Sequence, residues 1–232
     1  MKYHLSIVFL ILFTIHIQLQ AQSNKLEDFA NFNKYRTANE ELAPPLPGEN
    51  RVVFMGNSIT EGWKISDESF FSDNPYIDRG ISGQTTPQML LRFRSDVINL
   101  KPEIVVILAG INDIAENTGP ITLEDILENI ISMSQLAESN GIKVILCSVL
   151  PANEISWNPV IKPAEKVIRL NGMIKSYCLE KNILYVDYYT SMVDERNGLY
   201  KKYSEDGVHP NLAGYKVMEP VILEAISKLI EK

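Results

Sequence analysis

Short apolar runs rich in β-branched residues alternate along this chain with longer stretches of helical periodicity, and few folds satisfy that alternation. The runs fall at 51–55, 103–109, 142–149 and 183–187, with a weaker one near 76–81. Helical patterns over 86–99, 122–140, 163–181 and 211–231 lie between and after them. Val105-Val106-Ile107-Leu108 is apolar on both faces, as a strand covered by helices on each side must be. Such alternation implies a three-layer αβα fold with right-handed crossovers around a five-stranded parallel sheet. Local punctuation agrees. Pro87 suits a first helical turn, Thr122-Leu123-Glu124-Asp125 resembles a capping start, and Asn140-Gly141 is a natural stop.

The sheet-forming part reads as one domain, 49–232, with no internal repeat. Ahead of it, 22–48 forms an extension. Leu26, Phe29, Phe32 and Tyr35 stand at helical spacing and predict an amphipathic helix over 26–42. Ala43-Pro44-Pro45-Leu46-Pro47-Gly48 then stops it as a linker. The helix packs against the domain, with a dimer contact as the other use open to it. Residues 1–21 read as a secretory signal: Lys2, an apolar stretch from Leu5 to Ile17, and the small Ala21 before the cut. That stretch falls short of the roughly 20 apolar residues a bilayer span needs, so no stable membrane anchor is expected after its removal. The chain is therefore expected outside the cytoplasm, in a periplasm or the medium. An oxidising compartment permits a disulfide, yet Cys147 lies in an apolar run and Cys178 in a helical pattern, which suits two buried small hydrophobes. A composition of 45% hydrophobic and 22% charged residues excludes a disordered or multi-span chain. A formal charge of -7 without a basic run leaves no footprint for nucleic acid.

Ligand crevices of open α/β sheets lie beyond the carboxyl ends of the strands. Four polar, glycine-bearing segments follow strands or precede the last helix. They are Gly56-Asn57-Ser58-Ile59-Thr60, Gly80-Ile81-Ser82-Gly83-Gln84-Thr85, Gly110-Ile111-Asn112-Asp113 and Asp206-Gly207-Val208-His209-Pro210. Of three histidines, His4 and His16 fall in the signal, which leaves His209 alone and excludes a multi-His metal site. Asp206 precedes it by three residues, near enough to orient the imidazole if the segment turns. A serine at a strand end, one histidine and a nearby carboxylate are the parts of a serine hydrolase triad. Acyl transfer also needs donors for the developing oxyanion. The N–H of Ser58 at a helix start, the N–H of Gly83 and the Asn112 amide are candidates. Each has a plainer use alone: Gly83 a turn, Asn112-Asp113 a helix cap, His209 a cap or surface residue. Their gathering at one sheet edge favours chemistry.

Those four segments, in order and spacing, resemble the blocks of the SGNH (GDSL-type) hydrolase family, from about residue 51 to the end of the chain. The resemblance implies a flavodoxin-like sheet of order 2-1-3-4-5, with the site at the switch between the first and third strands. It implies Ser58 as nucleophile, His209 as general base and then acid, and Asp206 as the holder of the imidazole. Ser58, Gly83 and Asn112 become the oxyanion hole, and no metal or cofactor is called for. Asn57 stands where the family usually has Asp, and Ile59 where it has Leu, so one carboxylate is missing beside the nucleophile.

Substrate choice belongs to the rim, for which Arg79, Trp63 and the segment 152–162 with Trp157 are candidates. Trp157 reads either as a face on which a sugar stacks or as packing under a loop. Arg79 followed by Gly80-Ile81-Ser82-Gly83-Gln84-Thr85-Thr86 resembles the second block of bacterial carbohydrate-esterase and platelet-activating-factor-acetylhydrolase-like members. No long apolar lid is visible. The expectation is an exported serine esterase acting on small acyl esters, above all O-acetyl groups on carbohydrate. A lysophospholipase or thioesterase with the same site, a glycan-binding module with a vestigial site, and an acyltransferase are the alternatives.

Overall fold

The computed structural model describes residues 29–231. The segment 1–21, read above as an export signal, lies outside them, as do residues 22–28 of the extension. Five strands, β1 (Val52–Gly56), β2 (Tyr76–Gly80), β3 (Ile104–Leu108), β4 (Lys143–Cys147) and β5 (Leu184–Val186), form one parallel sheet in the order β2-β1-β3-β4-β5. This is the flavodoxin-like order expected, and its direction reverses at β1 and β3. Every residue of β1 and β3 is buried, as their two-sided apolar pattern demands.

The helices are α1 (Arg36–Glu41), α2 (Ser58–Ser66), α3 (Glu68–Ser72), α4 (Thr86–Asp96), α5 (Ile111–Ile114), α6 (Leu123–Glu138), α7 (Ala164–Lys181), α8 (Tyr189–Met192) and α9 (Leu212–Ile230). Of these, α4, α6 and α7 pack side by side in one layer, and α2, α3 and α9 in the other. Cys147 ends β4 and Cys178 lies in α7; both are buried and free. Among the described residues no helix is long and apolar enough to cross a membrane.

Three expectations change. The extension is not helical throughout 26–42: α1 covers only Arg36–Glu41, and Asn31 takes a left-handed backbone (φ 52) in a turn. Asn31 and Asn33 favour turns, and a short helix gains too little from its own hydrogen bonds to override them. Trp63 is no rim residue, being 1% exposed and stacked on Phe70 (4.9 Å) and Tyr215 (5.4 Å). Five residues past Ser58 on α2, it stands about 140° around the helix from the serine, facing the core. Arg79 is 6% exposed. It lies in β2, the edge strand over which the N-terminal segment folds: its guanidinium donates to Asn39 Oδ1 (2.9 and 2.7 Å) and lies 4.6 Å from the centre of the Tyr35 ring. It holds that covering segment and does not line the cleft beside Ser58.

Candidate active site

Ser58 is the first residue of α2, directly beyond the end of β1. Its neighbour Asn57 caps the helix, Oδ1 accepting the Ile59 N–H at 2.9 Å. An amide oxygen serves that role as well as a carboxylate, so the Asn in place of Asp keeps the helix start intact. Two glycines let α2 approach this closely. A Cβ at Gly56 would meet Thr60 Oγ1 at 2.0 Å, and one at Gly80, its register partner on β2, would meet the Glu61 nitrogen at 2.2 Å. First-turn N–H groups have no partner within the helix and carry its positive dipole end, so the Ser58 N–H is a donor open to an anion.

Ser58 Oγ lies 2.8 Å from His209 Nε2, and His209 Nδ1 lies 2.6 Å from Asp206 Oδ2. The other carboxylate oxygen, Oδ1, accepts the main-chain N–H groups of Val208 (2.9 Å) and His209 (2.8 Å) and the Ser204 hydroxyl (3.2 Å). The segment therefore turns as the three-residue spacing requires, Gly207 supplying a left-handed φ of 82°. Partial burial works against a charge on Asp206, but the donors from His209 and Val208 outweigh it and hold the carboxyl below its usual range. An ionised Asp206 fixes the Nδ1–H tautomer and leaves Nε2 free to accept from Ser58.

Gly83 and Asn112 border the same cleft as Ser58 and His209. Asn112 is buried at the start of α5, its Nδ2 donating to Gln84 O at 3.0 Å, so one N–H of that amide ties the β3 loop to the β2 loop. A second tie is Asp113, whose carboxylate accepts the Thr86 N–H (2.9 Å) and hydroxyl (2.6 Å) at the start of α4. Burial pushes the Asp113 carboxyl up to about 6 against the pull of those donors. A third is Arg92 of α4, fully buried. It donates to the carbonyls of Gly56 (3.0 Å) and Arg79 (2.9 Å), to the Gln84 side chain and to Asp96. Arg92 thus joins the ends of β1 and β2 just before Ser58 and Gly83. In sequence Arg92 is one more polar residue in a helical pattern, and only the two strand-end carbonyls that converge on it explain its burial.

The cleft measures about 390 Å³ and is also lined by Ser82, Asn117 and Trp157. Trp157 is 43% exposed, so the packing alternative does not hold. Its ring centre lies 6.0 Å from that of His209, and its Nε1–H donates to Asn117 Oδ1 at 2.9 Å. Asn117 in turn donates Nδ2 to Gly83 O at 3.1 Å. Nothing in the sequence marked Asn117, which lies after α5 in what reads as an ordinary turn. Of the residues expected at the site, the structure brings together Ser58, Gly83, Asn112, Trp157, Asp206 and His209. Trp63 and Arg79 lie elsewhere.

The chain is similar to known proteins. A model of the GDSL-like lipase/acylhydrolase family matches residues 54–217. The crystal structure of a GDSL-like lipase from Bacteroides thetaiotaomicron superposes with a TM-score of 0.85 at 53% identity, covering 87% of this chain and 99% of that one. Esterase TesA of Pseudomonas aeruginosa is 29% identical over 186 residues, 77% of this chain and 83% of that protein. An acetylxylan esterase of Xylanibacter ruminicola is 27% identical over 221 residues, 78% of this chain but only 44% of the enzyme, so the chain spans less than half its length. On the match from β1 into α9, which takes in all four segments of the site, the chain belongs to the GDSL-like lipase/acylhydrolase family and is an ester hydrolase.

Proposed function

We propose that this chain is an exported serine esterase that removes small acyl groups, above all O-acetyl groups, from carbohydrate through an acyl-enzyme on Ser58. The observation that carries this is the hydrogen-bonded series Ser58–His209–Asp206 opening into a cleft beside Gly83 and Asn112. In the reaction His209 Nε2 takes the Ser58 hydroxyl proton as Oγ attacks the ester carbon. The carbonyl oxygen becomes an oxyanion facing the N–H groups of Ser58 and Gly83 and the Asn112 amide. On collapse the imidazolium returns its proton to the leaving alkoxide, and the acyl group stays on Ser58. Water, deprotonated by the same nitrogen, then attacks the acyl-enzyme; the carboxylic acid leaves and Ser58 regains its proton. Asp206 stabilises the imidazolium in both halves.

Trp157 supports a sugar as the leaving alcohol. It stands beside His209, which protonates that alcohol, and Asn117 fixes its indole as a rigid, half-open face. The acetylxylan esterase relative supports the same substrate class. Export rests on the signal-like residues 1–21 and is tested by the N-terminus of the protein recovered outside the cell. Substrate class is tested with p-nitrophenyl acetate, p-nitrophenyl octanoate and acetylated xylo-oligosaccharide. Acetate is expected to be preferred over octanoate. Trp157→Ala is expected to raise KM for the oligosaccharide about tenfold, the size of one aromatic contact, with p-nitrophenyl acetate unaffected. Preference for octanoate would move the proposal to lysophospholipid or thioester substrates, and no hydrolysis of any ester above the Ser58→Ala rate would move it to glycan binding or acyl transfer.

A further inference from the structure

The stretch from Ala30 to Asn39 precedes the matched family region, yet it grips the loop that carries Gly83 at successive points. Ala30 O accepts the Gln84 side-chain amide at 2.8 Å. Lys34 Nζ pairs with Glu61 Oε1 at 2.7 Å, and the other oxygen of Glu61 accepts both the main-chain N–H and the hydroxyl of Ser82. The Tyr35 hydroxyl donates to Gly80 O. Asn39 accepts from Arg79 and donates to Ser95 O and Asp96. Each grip leads on into the site. Glu61 belongs to α2, the helix that begins at Ser58, so the Lys34–Glu61–Ser82 series sets the distance between the nucleophile's helix and the residue before Gly83. Gln84 is held by Ala30 and Arg92 through its side chain, while its carbonyl accepts the Asn112 amide. Ala30, Lys34, Tyr35 and Asn39 themselves stand outside the cleft lining.

We infer that residues 30–39 form a clamp that positions the Gly83 N–H and the Asn112 amide for the oxyanion, with Lys34 and Tyr35 as its positioning residues; this rests on the Ser58 acyl-enzyme proposed above. Two bonds hold the Gly83 loop directly from the N-terminal side, at Gly80 and Gln84, and at Ser82 the bond is to Glu61 of α2, whose other oxygen Lys34 pairs. Gly83 itself has a left-handed φ of 78° and open space where a Cβ would stand, so apart from the Asn117 bond to its carbonyl its own packing does little to fix its direction. An oxyanion donor loses most of its value when displaced by a fraction of an ångström, because its contribution depends on being aimed in advance.

The test uses the full-length protein and the variants Lys34→Met, Tyr35→Phe and their combination. With p-nitrophenyl acetate, the double variant is expected to lose about tenfold or more in kcat while KM stays within about twofold, the split of a lost transition-state interaction. Inhibition by methylboronic acid, whose adduct on Ser58 places an oxygen where the oxyanion forms, weakens by the same factor. The acid limb of the pH–rate profile does not move, and Lys34→Arg restores the rate. Parent-like kcat and boronate affinity in the double variant, with only a lowered melting temperature, would overturn the clamp and leave a structural brace. If the double variant fails to fold, Lys34→Met decides alone, since that side chain is 41% exposed and its loss leaves the core untouched. Failure of the underlying esterase assignment looks different: the parent itself would then show no activity that Ser58→Ala abolishes.

Discussion

Replacing Asp206 by Asn changes one oxygen for an NH2 group, and the surroundings dictate which way the amide turns. Asp206 Oδ1 accepts two main-chain N–H groups, at 2.9 and 2.8 Å, while Oδ2 accepts from His209 Nδ1 at 2.6 Å. An Asn side chain has one acceptor. If it stays on the main-chain donors, the NH2 faces Nδ1, which must then be the bare nitrogen, and the ring proton moves to Nε2. That nitrogen lies 2.8 Å from Ser58 Oγ and in this tautomer cannot take the serine proton. If the amide turns over, Nδ1–H is satisfied but two main-chain donors lose their acceptor together, one of them part-buried. The first arrangement wins. Loss of the correct tautomer is expected to lower kcat about 10⁴-fold, equivalent to about 5.5 kcal/mol of barrier. Because the Asp206 side chain is 40% exposed, the melting temperature should barely move. The assay is steady-state hydrolysis of p-nitrophenyl acetate, with thermal unfolding run on the same samples. A folded variant whose kcat falls less than about tenfold would refute the role given to Asp206.

Asn112→Ala removes an oxyanion donor and is expected to lower kcat by about 10²–10³ with little change in KM, read in the same assay. Trp63→Ala is expected to destabilise the fold by about 3–5 kcal/mol in denaturant titrations, because the indole is buried among Phe54, Phe70 and Tyr215. Its effect on KM for esters should be small, the opposite of what a rim residue would give. Burial pushes the Asp78 carboxyl from 3.8 up to about 6. The folded state therefore keeps a proton that the unfolded chain releases, and stability is lost as pH rises through that interval. Asp78→Asn retains an acceptor for the Gly80 N–H. It should match the parent near pH 4 and exceed it near pH 7 by an amount on the order of 1–3 kcal/mol, measured by thermal unfolding at both.

The sheet was legible because its strands carry their burial in their composition. Val105 to Leu108 is apolar on both faces, and the helices around it show the 3.6-residue period. The residues gathered at the cleft were legible for a related reason: a single histidine beyond residue 21, a serine after a strand and an Asp three residues upstream leave few other partners for one another. What stayed hidden depends on contacts between segments distant in the chain. Arg92 looks like surface until the Gly56 and Arg79 carbonyls converge on it. Arg79 looks like rim until Asn39 and Tyr35 fold over β2. Trp63 and Trp157 are the same residue type in segments of similar polarity. One faces inward around α2 and the other is held open by Asn117, a distinction that only helix phase and a long-range hydrogen bond could make. The short helix α5 is set by Asp113 reaching Thr86 across 27 positions, which no local period reveals.

In the proposed mechanism Ser58 carries the acyl group. Acid-quenching the enzyme during turnover of p-nitrophenyl acetate and locating the acetyl group by peptide mass spectrometry tests that role. The expected result is an acetyl ester on the peptide containing Ser58, formed at the rate of the p-nitrophenol burst and missing from Ser58→Ala, which should also lose turnover. Undiminished turnover by Ser58→Ala, or acetyl found at another residue with turnover intact, would contradict it.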